Sequence, residues 1–153
     1  MMDKRRRPTP VDFDDISVTD KMFGILSAGS DDNDIEIVST VVGNLMAEGC
    51  LEQNLRIRNV PSVADIPLGV QFFAEYTDVD AVIVIAFGNN SLPEYILDAV
   101  MKLQLHWNMP VVFGLNMTDY WKVHRQAIEM VLLQYEMEAE SADSENPDRR
   151  SIN

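Results

Sequence analysis

Two acidic residues stand where the sequence changes from a strand pattern to a helix pattern. Asp65 closely follows Pro61 at the end of an alternating run, and Glu94 lies in the first turn after a glycine-containing loop. A partly buried carboxylate in such a position can accept a proton from a substrate. An acid in a first turn also stabilises the helix that it begins. The residue types therefore leave two interpretations open, a general base or a helix cap.

A second candidate for chemistry is the uncharged loop Gly88–Ser91, which precedes a predicted helix. Backbone N–H groups at a helix start bind anions, so this loop is a candidate site for an anion or a polar ligand. Ser91 is equally suited to be the helix N-cap. The loop Ala28–Asp32 also precedes a helix, but its aspartates would repel an anion. The chain has neither a Walker lysine nor a GxGxxG motif, which disfavours nucleotide binding.

Histidine and cysteine usage predicts neither a metal site nor a cofactor. His106 and His124 lie in separate predicted helices, and no cysteine or carboxylate stands at metal-ligand spacing around either of them. Cys50 is the only cysteine, which excludes an internal disulfide and fits a reducing compartment. We interpret Cys50 as a structural residue.

Net charge and the length of the apolar runs disfavour two classes of partner, nucleic acid and membranes. The formal net charge of −13 makes nucleic acid an unsuitable partner, since phosphate backbones require a basic surface. No apolar run approaches the roughly 18 residues of a membrane span, and no apolar segment follows the basic N-terminus. We therefore expect a cytoplasmic protein that interacts with neither membranes nor nucleic acid.

Short apolar runs alternate with helical patterns along the middle of the chain. The clearest run, Asp80–Phe87, is continuous and rich in β-branched residues, which is typical of a strand buried on both faces. The run Asn54–Val60 has a partly polar face and is expected near a sheet edge. Four strands and four helices in alternation imply right-handed crossovers and a parallel sheet. The other predicted strands are Met22–Leu26 and Met109–Gly114, and the predicted helices begin near Asp31, Asp65, Ser91 and Asp119.

These patterns predict one three-layer α/β domain over residues 21–140, a four-stranded parallel sheet flanked by helices. Residues 1–20 are expected to be a flexible basic, proline-containing arm, and residues 141–153 a disordered polar tail with too few apolar side chains to fold. The predicted core stripe of the last helix is Trp121, His124, Ile128, Val131 or Leu132, and Tyr135. Ligands of such sheets bind at the carboxyl ends of the strands.

Three segments, in order, resemble the lumazine synthase family. VPSVADIPL, at Val60–Leu68, resembles the family pattern Val-Pro-Gly-Ala-x-Glu-Ile-Pro-Leu. Asp80–Ile83 and Met109–Asp119 resemble its next strand and its Val-Pro-Val-Ile-Phe-Gly…Thr-Thr-Asp segment. The resemblance covers about residues 21–120 and implies a flavodoxin-like fold. It also implies a transferase of riboflavin biosynthesis, which condenses a ribitylaminopyrimidinedione with dihydroxybutanone phosphate at sites between the subunits of a homopentamer.

Carried over position by position, the resemblance implies a set of site residues. Glu94 or Tyr95 stands at the place of the family's proton-shuttling histidine, and Glu94 is the predicted catalytic residue. Phe113 stands where an aromatic of a neighbouring subunit approaches the pyrimidine. The substrate-binding positions are Ser62, Val63, Asp65, Phe87, Asn89, Asn90, Ser91 and Phe113.

The same comparison shows departures from the family. Ala28–Asp31 replaces a Ser-Arg-Phe-Asn type motif whose aromatic stacks on the substrate, and an Ala-Gly-Asn-Lys-Gly loop near the last helix is missing. Two hypotheses follow. One is a diverged enzyme of the riboflavin pathway, with the related archaeal type of riboflavin synthase also open. The other is a catalytically degenerate paralogue that serves as an oligomeric scaffold or binding protein. An unrelated flavodoxin-like binding domain is a third, less favoured interpretation.

Overall fold

The chain folds as an α/β domain with four strands and four helices in alternation. The computed structural model describes residues 17–29, 32–86, 92–114 and 121–144. The strands are β1 (Phe23–Ala28), β2 (Leu55–Val60), β3 (Ala81–Ile85) and β4 (Val111–Gly114), and the helices are α1 (Asp32–Ala47), α2 (Ile66–Tyr76), α3 (Glu94–Trp107) and α4 (Val123–Ser144). Short 3₁₀ turns cover Glu52–Asn54 and Val63–Asp65. In these ranges, none of the helices has the length and apolar content needed to cross a membrane.

The four strands form one parallel sheet in the order β2-β1-β3-β4. β1 pairs with β2 and with β3, and β3 pairs with β4. All five residues of β3 are buried, as the continuous β-branched run predicted. β2 is an edge strand with three exposed residues, which confirms the expectation from its polar face. The predicted three-layer α/β fold is therefore confirmed.

Each face of the sheet carries its own pair of helices and its own apolar core. α1 and α4 cover one face, where Phe23, Ile25 and Ile83 contact Val41, Leu45, Ile128 and Leu132. α2 and α3 cover the other, where Leu26, Val82 and Val84 contact Ile66, Val70, Phe73, Ile96 and Val100. These side chains alternate between the faces because successive residues of a strand point in opposite directions.

Two glycines allow α2 to approach the sheet closely. A Cβ atom on Gly24 of β1 would lie 2.8 Å from Cε1 of Phe73, which is in α2. A Cβ atom on Gly69 of α2 would lie 2.9 Å from Cγ1 of Val60, the last residue of β2. Real side-chain contacts are not this short, so each glycine is required by packing. The start of α2 is thereby fixed against the ends of β1 and β2.

The structure corrects the predicted core stripe of the last helix. Ile128, Val131 and Leu132 are buried as predicted, and His124 is only 7% exposed, but Trp121 is 59% and Tyr135 is 53% exposed. Val123 and Ala127 take the remaining core positions. The helical stripe is therefore rotated away from the two aromatic rings, whose polar atoms favour contact with water.

Two predicted boundaries also differ from the structure. α3 begins at Glu94 with Pro93 at the N-cap position, so the helix starts after the position predicted for a Ser91 N-cap. The residue before a proline disfavours helical backbone angles, which delays the helix until Pro93 has passed. α4 extends to Ser144, past the end predicted for this helix at about Glu140; the domain boundary predicted there remains a prediction. Residues 1–16 and 145–153 lie outside the described residues, so the predicted arm and tail remain predictions.

Candidate functional site

The carboxyl ends of all four strands lie at one edge of the sheet, as parallel pairing requires. The register pairs Ala28 with Val60, Ser27 with Ile85, and Ile85 with Gly114. The segments that follow these residues therefore begin side by side. This edge is where ligands bind in open α/β sheets.

The segment after β2 is held in a fixed conformation by hydrogen bonds within it. The backbone N–H and the hydroxyl of Ser62 both donate to Oδ2 of Asp65, each at 3.1 Å. The backbone N–H of Asp65 donates in turn to the carbonyl oxygen of Ser62 at 3.0 Å. Asp65 is half-buried, and Val63 packs partly against the α2/α3 core. Asp65 thereby closes a capping box around the 3₁₀ turn Val63–Asp65. Its side chain makes no cap hydrogen bond to α2, whose N-cap position it occupies. The bonds to Ser62 hold the carboxylate at the strand-end edge.

The ends of β1 and β2 present a polar pair that the sequence analysis did not single out. Ser27 Oγ donates a hydrogen bond of 2.8 Å to Oδ1 of Asn59, and both residues lie one position before the end of their strands. The N–H of Gly29 donates to the carbonyl of Val60 at 2.8 Å, and Gly29 adopts a φ of 79°, which favours glycine. The available signal was a polar residue at the penultimate position of each strand.

Glu94 is exposed in the first turn of α3, on the same side of the sheet as Val63 and Phe113. The residues before it are anchored by Leu92, which is buried in the α2/α3 core. Since α2 and α3 pack against each other and both begin at the carboxyl edge, Asp65 and Glu94 open neighbouring helices. Four of the predicted substrate-binding residues, Phe87, Asn89, Asn90 and Ser91, lie outside the described residues.

Val63 and Phe113 lie toward opposite edges of the same face. Val63 follows β2 and Phe113 belongs to β4, and β1 and β3 separate these two strands. Three strand spacings correspond to roughly 14 Å within one subunit. Both side chains are half-buried and contact the α2/α3 core. A single chain therefore brings Ser62, Val63 and Asp65 together but leaves Phe113 apart from them.

No group of three metal-ligating side chains occurs among residues 17–29, 32–86, 92–114 and 121–144. The buried histidine and cysteine of the described residues, His124 and Cys50, lie in the α1/α4 layer. Burial, reinforced by Glu48, raises the pKa of the Cys50 thiol to about 11, which keeps it protonated at neutral pH. Burial lowers the pKa of His124, and Arg125 lowers it further, while Glu48 opposes them with its Oε2 3.9 Å from Nε2. Cys50 and His124 are therefore part of the packing between the sheet and α1/α4, away from the candidate site.

Comparison with known proteins identifies relatives of one activity. Residues 22–143 match the sequence pattern of the 6,7-dimethyl-8-ribityllumazine synthase family. A 6,7-dimethyl-8-ribityllumazine synthase of Cytophaga hutchinsonii is 30% identical over 111 residues, which cover 67% of this chain and 70% of the relative. One of Desulfosudis oleivorans is 26% identical over 122 residues, covering 74% of this chain and 76% of the relative. The similarity spans all four strands of the sheet.

Proposed function

Because the chain belongs to the 6,7-dimethyl-8-ribityllumazine synthase family, we propose that it is an enzyme of riboflavin biosynthesis. The proposed reaction condenses a ribitylaminopyrimidinedione with dihydroxybutanone phosphate to give the lumazine, with release of inorganic phosphate and water. The observation that supports it most directly is the segment Ser62–Asp65. It lies between Val60-Pro61 and Ile66-Pro67-Leu68, which match the family pattern, and it has an acid, Asp65, at the place of the family's glutamate. Hydrogen bonds within it and the close packing of Gly69 support its place at the carboxyl edge of the sheet.

In this proposal the segment after β2 binds the polar part of the first substrate. Asp65 Oδ2 already accepts two hydrogen bonds from Ser62, so its orientation is set before a ligand arrives. A hydroxyl-rich ribityl chain offers O–H donors that a carboxylate accepts well. Val63 contributes apolar contact beside it. The neighbouring Ser27–Asn59 pair adds two further polar side chains within the same edge.

Glu94 is proposed as the residue that transfers protons during the condensation. It opens α3 beside the start of α2, and its exposure leaves it accessible to a bound substrate. A positioned proton acceptor typically contributes 10²–10⁴ in rate. The phosphate is assigned to Phe87, Asn89, Asn90 and Ser91, whose uncharged types would bind it through N–H and O–H donors. Because no cation is among them, we expect weak binding of the phosphate substrate.

Phe113 enters the proposed site from a neighbouring subunit. Within one chain, roughly 14 Å of sheet separates its strand from the strand that precedes Val63. An assembly that places β4 of one subunit beside α2 of the next would close this distance. We therefore propose a homo-oligomer, with the family's homopentamer as the specific expectation.

The test is a direct assay of the purified protein with both substrates, followed by the absorbance of the lumazine product. We expect product formation that depends on enzyme concentration and is lost in a Glu94→Gln variant. No product at high enzyme concentration would contradict the proposal. Light scattering after size-exclusion chromatography measures the assembly in the same preparation.

A second candidate function, an assembling scaffold without catalysis, is favoured by one observation. The polar side chains at the ends of β1 and β2 are bonded to one another, Ser27 to Asn59 and Ser62 to Asp65, as structural caps would be. An oligomer that forms no lumazine would support this alternative. A monomer would exclude the scaffold and would also count against an enzyme whose site needs two subunits.

A further inference from the structure

Ser27 and Asn59 form a hydrogen-bonded pair at the carboxyl edge of the sheet. They stand opposite each other in the register of β1 and β2, each one residue before the end of its strand. The next residues, Ala28 and Val60, contact the α2/α3 core, so the side chains of Ser27 and Asn59 point to the side of the sheet on which α1 begins. Ser27 is half-buried and Asn59 is exposed. The pair therefore borders the crevice in which ligands of such sheets bind.

The bond within the pair determines which atoms of Asn59 are left for a ligand. Ser27 Oγ donates to Oδ1 of Asn59 at 2.8 Å, which orients the amide group. Nδ2 of the same amide has no hydrogen-bond partner within the part of the chain that the structure describes. An amide nitrogen carries two N–H groups and only donates. Asn59 therefore presents an oriented donor at the strand-end edge.

The other polar side chains at the ends of β1 and β2 do not supply such a donor. The hydroxyl and the backbone N–H of Ser62 both donate to Oδ2 of Asp65. The carboxylate of Asp65 accepts hydrogen bonds and does not donate. Among Ser27, Asn59, Ser62 and Asp65, only Asn59 has a side-chain N–H that is not already engaged. A ligand group that only accepts hydrogen bonds needs this donor once water is displaced.

Nearby charge favours a neutral acceptor over an anion. The first turn of α1 contains Asp32 and Asp34, and α1 covers the side of the sheet to which Asn59 points. A phosphate placed beside Asn59 would be repelled by these acids, whereas a neutral carbonyl oxygen would not be. The two ring carbonyl groups of a pyrimidinedione are acceptors of this kind.

One elongated ligand can contact both Asn59 and the segment after β2. Three residues of chain separate Asn59 from Ser62, which places their Cα atoms at most about 11 Å apart. The carbonyl oxygen of Val60 accepts from the N–H of Gly29 at 2.8 Å, so the ends of β1 and β2 are held together there. A ring acceptor matches the donor of Asn59, and the hydroxyls of a ribityl chain match the acceptor of Asp65.

We propose that Nδ2 of Asn59 donates a hydrogen bond to a carbonyl oxygen of the pyrimidinedione substrate, and that Ser27 is the positioning residue that orients the amide. This inference rests on the proposed function and adds the residue that recognises the ring. A ring with an amino group in place of that carbonyl would present a donor to a donor and would bind poorly. The Ser27–Asn59 pair thereby determines specificity for the dione.

The test measures binding of the ribitylaminopyrimidinedione alone, without dihydroxybutanone phosphate, so that no reaction takes place. Isothermal titration calorimetry on the full chain gives the dissociation constant. Asn59→Asp keeps an oxygen that accepts from Ser27 and replaces the donor with an acceptor of nearly the same shape. We expect it to bind about tenfold more weakly, because one hydrogen bond is lost and two acceptors face each other. Asn59→Ala adds no charge and should bind about fivefold more weakly through the lost bond.

Variants of Ser27 test the positioning role. Ser27→Ala leaves the amide of Asn59 in place but free to rotate, and should weaken binding about threefold. Ser27→Thr keeps the hydroxyl and should restore the affinity of the parent protein. Gln53→Glu makes the same change from amide to carboxylate at an exposed position before the amino end of β2, and should leave the affinity unchanged.

Steady-state kinetics separate substrate recognition from a structural role. Asn59→Asp should raise the KM for the pyrimidinedione about tenfold, with kcat and the KM for dihydroxybutanone phosphate close to the parent values. The midpoint of denaturant unfolding should stay at the parent value, because the bond from Ser27 is retained. A lower midpoint with unchanged affinity would overturn the inference and make the pair a structural link between β1 and β2.

Two further results would overturn the inference and leave the proposed function intact. One is a parent protein that forms lumazine while Asn59→Asp binds the pyrimidinedione equally well or more tightly. The other is a rise in the KM for the phosphate substrate alone, which would place Asn59 at the phosphate. Binding of the pyrimidinedione that depends on Asn59, without lumazine formation, would support the inference and contradict the proposed catalysis. A parent protein that neither binds the pyrimidinedione nor forms lumazine would contradict both.

Discussion

The two faces of the sheet are covered in different ways. On the α2/α3 face, Gly24 and Gly69 let α2 approach closely, and the side chains between helix and sheet are apolar. On the α1/α4 face, the buried set includes the ionisable groups of Asp34, Cys50 and His124. Ser62, Val63 and Asp65, together with Glu94 and Phe113, all belong to the α2/α3 face.

This difference indicates which side of the sheet holds the candidate residues in a fixed position. A site at the start of α2 is only as well placed as the contact between α2 and the sheet, and two glycines make that contact short. The α1/α4 layer positions none of the described candidate residues, and it contains His124, whose buried Nδ1 has no hydrogen-bond partner among the described residues and therefore costs stability. Substitutions on the two faces should therefore differ in kind, with the first affecting chemistry and packing and the second affecting the dependence of stability on pH.

The largest expected effect is on catalysis at the start of α3. Glu94→Gln should lower kcat by about 10²–10⁴, because the amide cannot accept a proton. The side chain is exposed, so the free energy of unfolding should change by less than about 1 kcal/mol. Asp98→Asn, which removes another acid one turn further along α3, is the control and should keep full activity. Equal rates for Glu94→Gln and the parent protein would remove Glu94 from the proposed mechanism.

The next effect tests the close approach of α2. Gly24→Ala places a methyl group against the ring of Phe73, and Gly69→Ala places one against Val60 and Leu26. Each should lower the free energy of unfolding by about 1–3 kcal/mol in denaturant titrations. Gly43→Ala in α1 has no atom within 4 Å of the added carbon and should instead stabilise by up to about 1 kcal/mol. If Gly24→Ala, Gly69→Ala and Gly43→Ala changed the free energy of unfolding equally, α2 would not pack more closely than α1.

A smaller effect separates the two roles of Asp65. Asp65→Ala removes the acceptor for both Ser62 donors and should cost about 1 kcal/mol of stability. Asp65→Asn retains a carbonyl acceptor and should recover most of that loss. If the charge contacts substrate, Asp65→Asn stays stable but loses activity. If Asp65→Asn matches the parent protein in both measurements, the residue is a cap alone.

The sheet itself could be predicted from the sequence because its signal is local. The continuous run Asp80–Phe87 and the half-polar run Asn54–Val60 indicate a central and an edge strand, and β3 and β2 occupy those positions. The orientation of α4 could not be predicted in the same way. Several overlapping stripes of that helix are apolar, and the choice among them depends on the shape of the sheet face. The apolar pattern predicts Trp121 and Tyr135 in the core, whereas both are exposed in the structure.

The candidate site was predictable only in part. The position of Asp65 suggests a helix-capping acid, and in the structure its carboxylate closes a capping box with Ser62 around the 3₁₀ turn but makes no cap hydrogen bond to α2. The pairing of Ser27 with Asn59 joins residues 32 positions apart, so it depends on the register of β1 and β2. Phe113 likewise lies far from Val63 because β1 and β3 separate β4 from β2 in the sheet. Such distances follow from strand order, which residue types do not determine.

The smallest expected effect concerns the buried histidine on the α1/α4 face. Burial lowers the pKa of His124 below its ordinary value of 6.5, and within the described part of the chain Nδ1 has no hydrogen-bond partner. The unfolded chain therefore binds this proton more readily than the native protein. Above pH 6.5 both states are neutral at this site, and stability should decrease as the pH falls below that value.

A His124→Gln variant should lose less stability than the parent protein between pH 7.5 and 5.5, measured by denaturant titration at each pH. This window lies above the ordinary pKa range of carboxylates, about 4, so histidine titration dominates it. His106→Gln, at an exposed position of α3, should follow the parent curve and serves as the control. An identical decline in both variants would show that the α1/α4 face tolerates a charged His124, and the contrast between the two faces would then rest on packing alone.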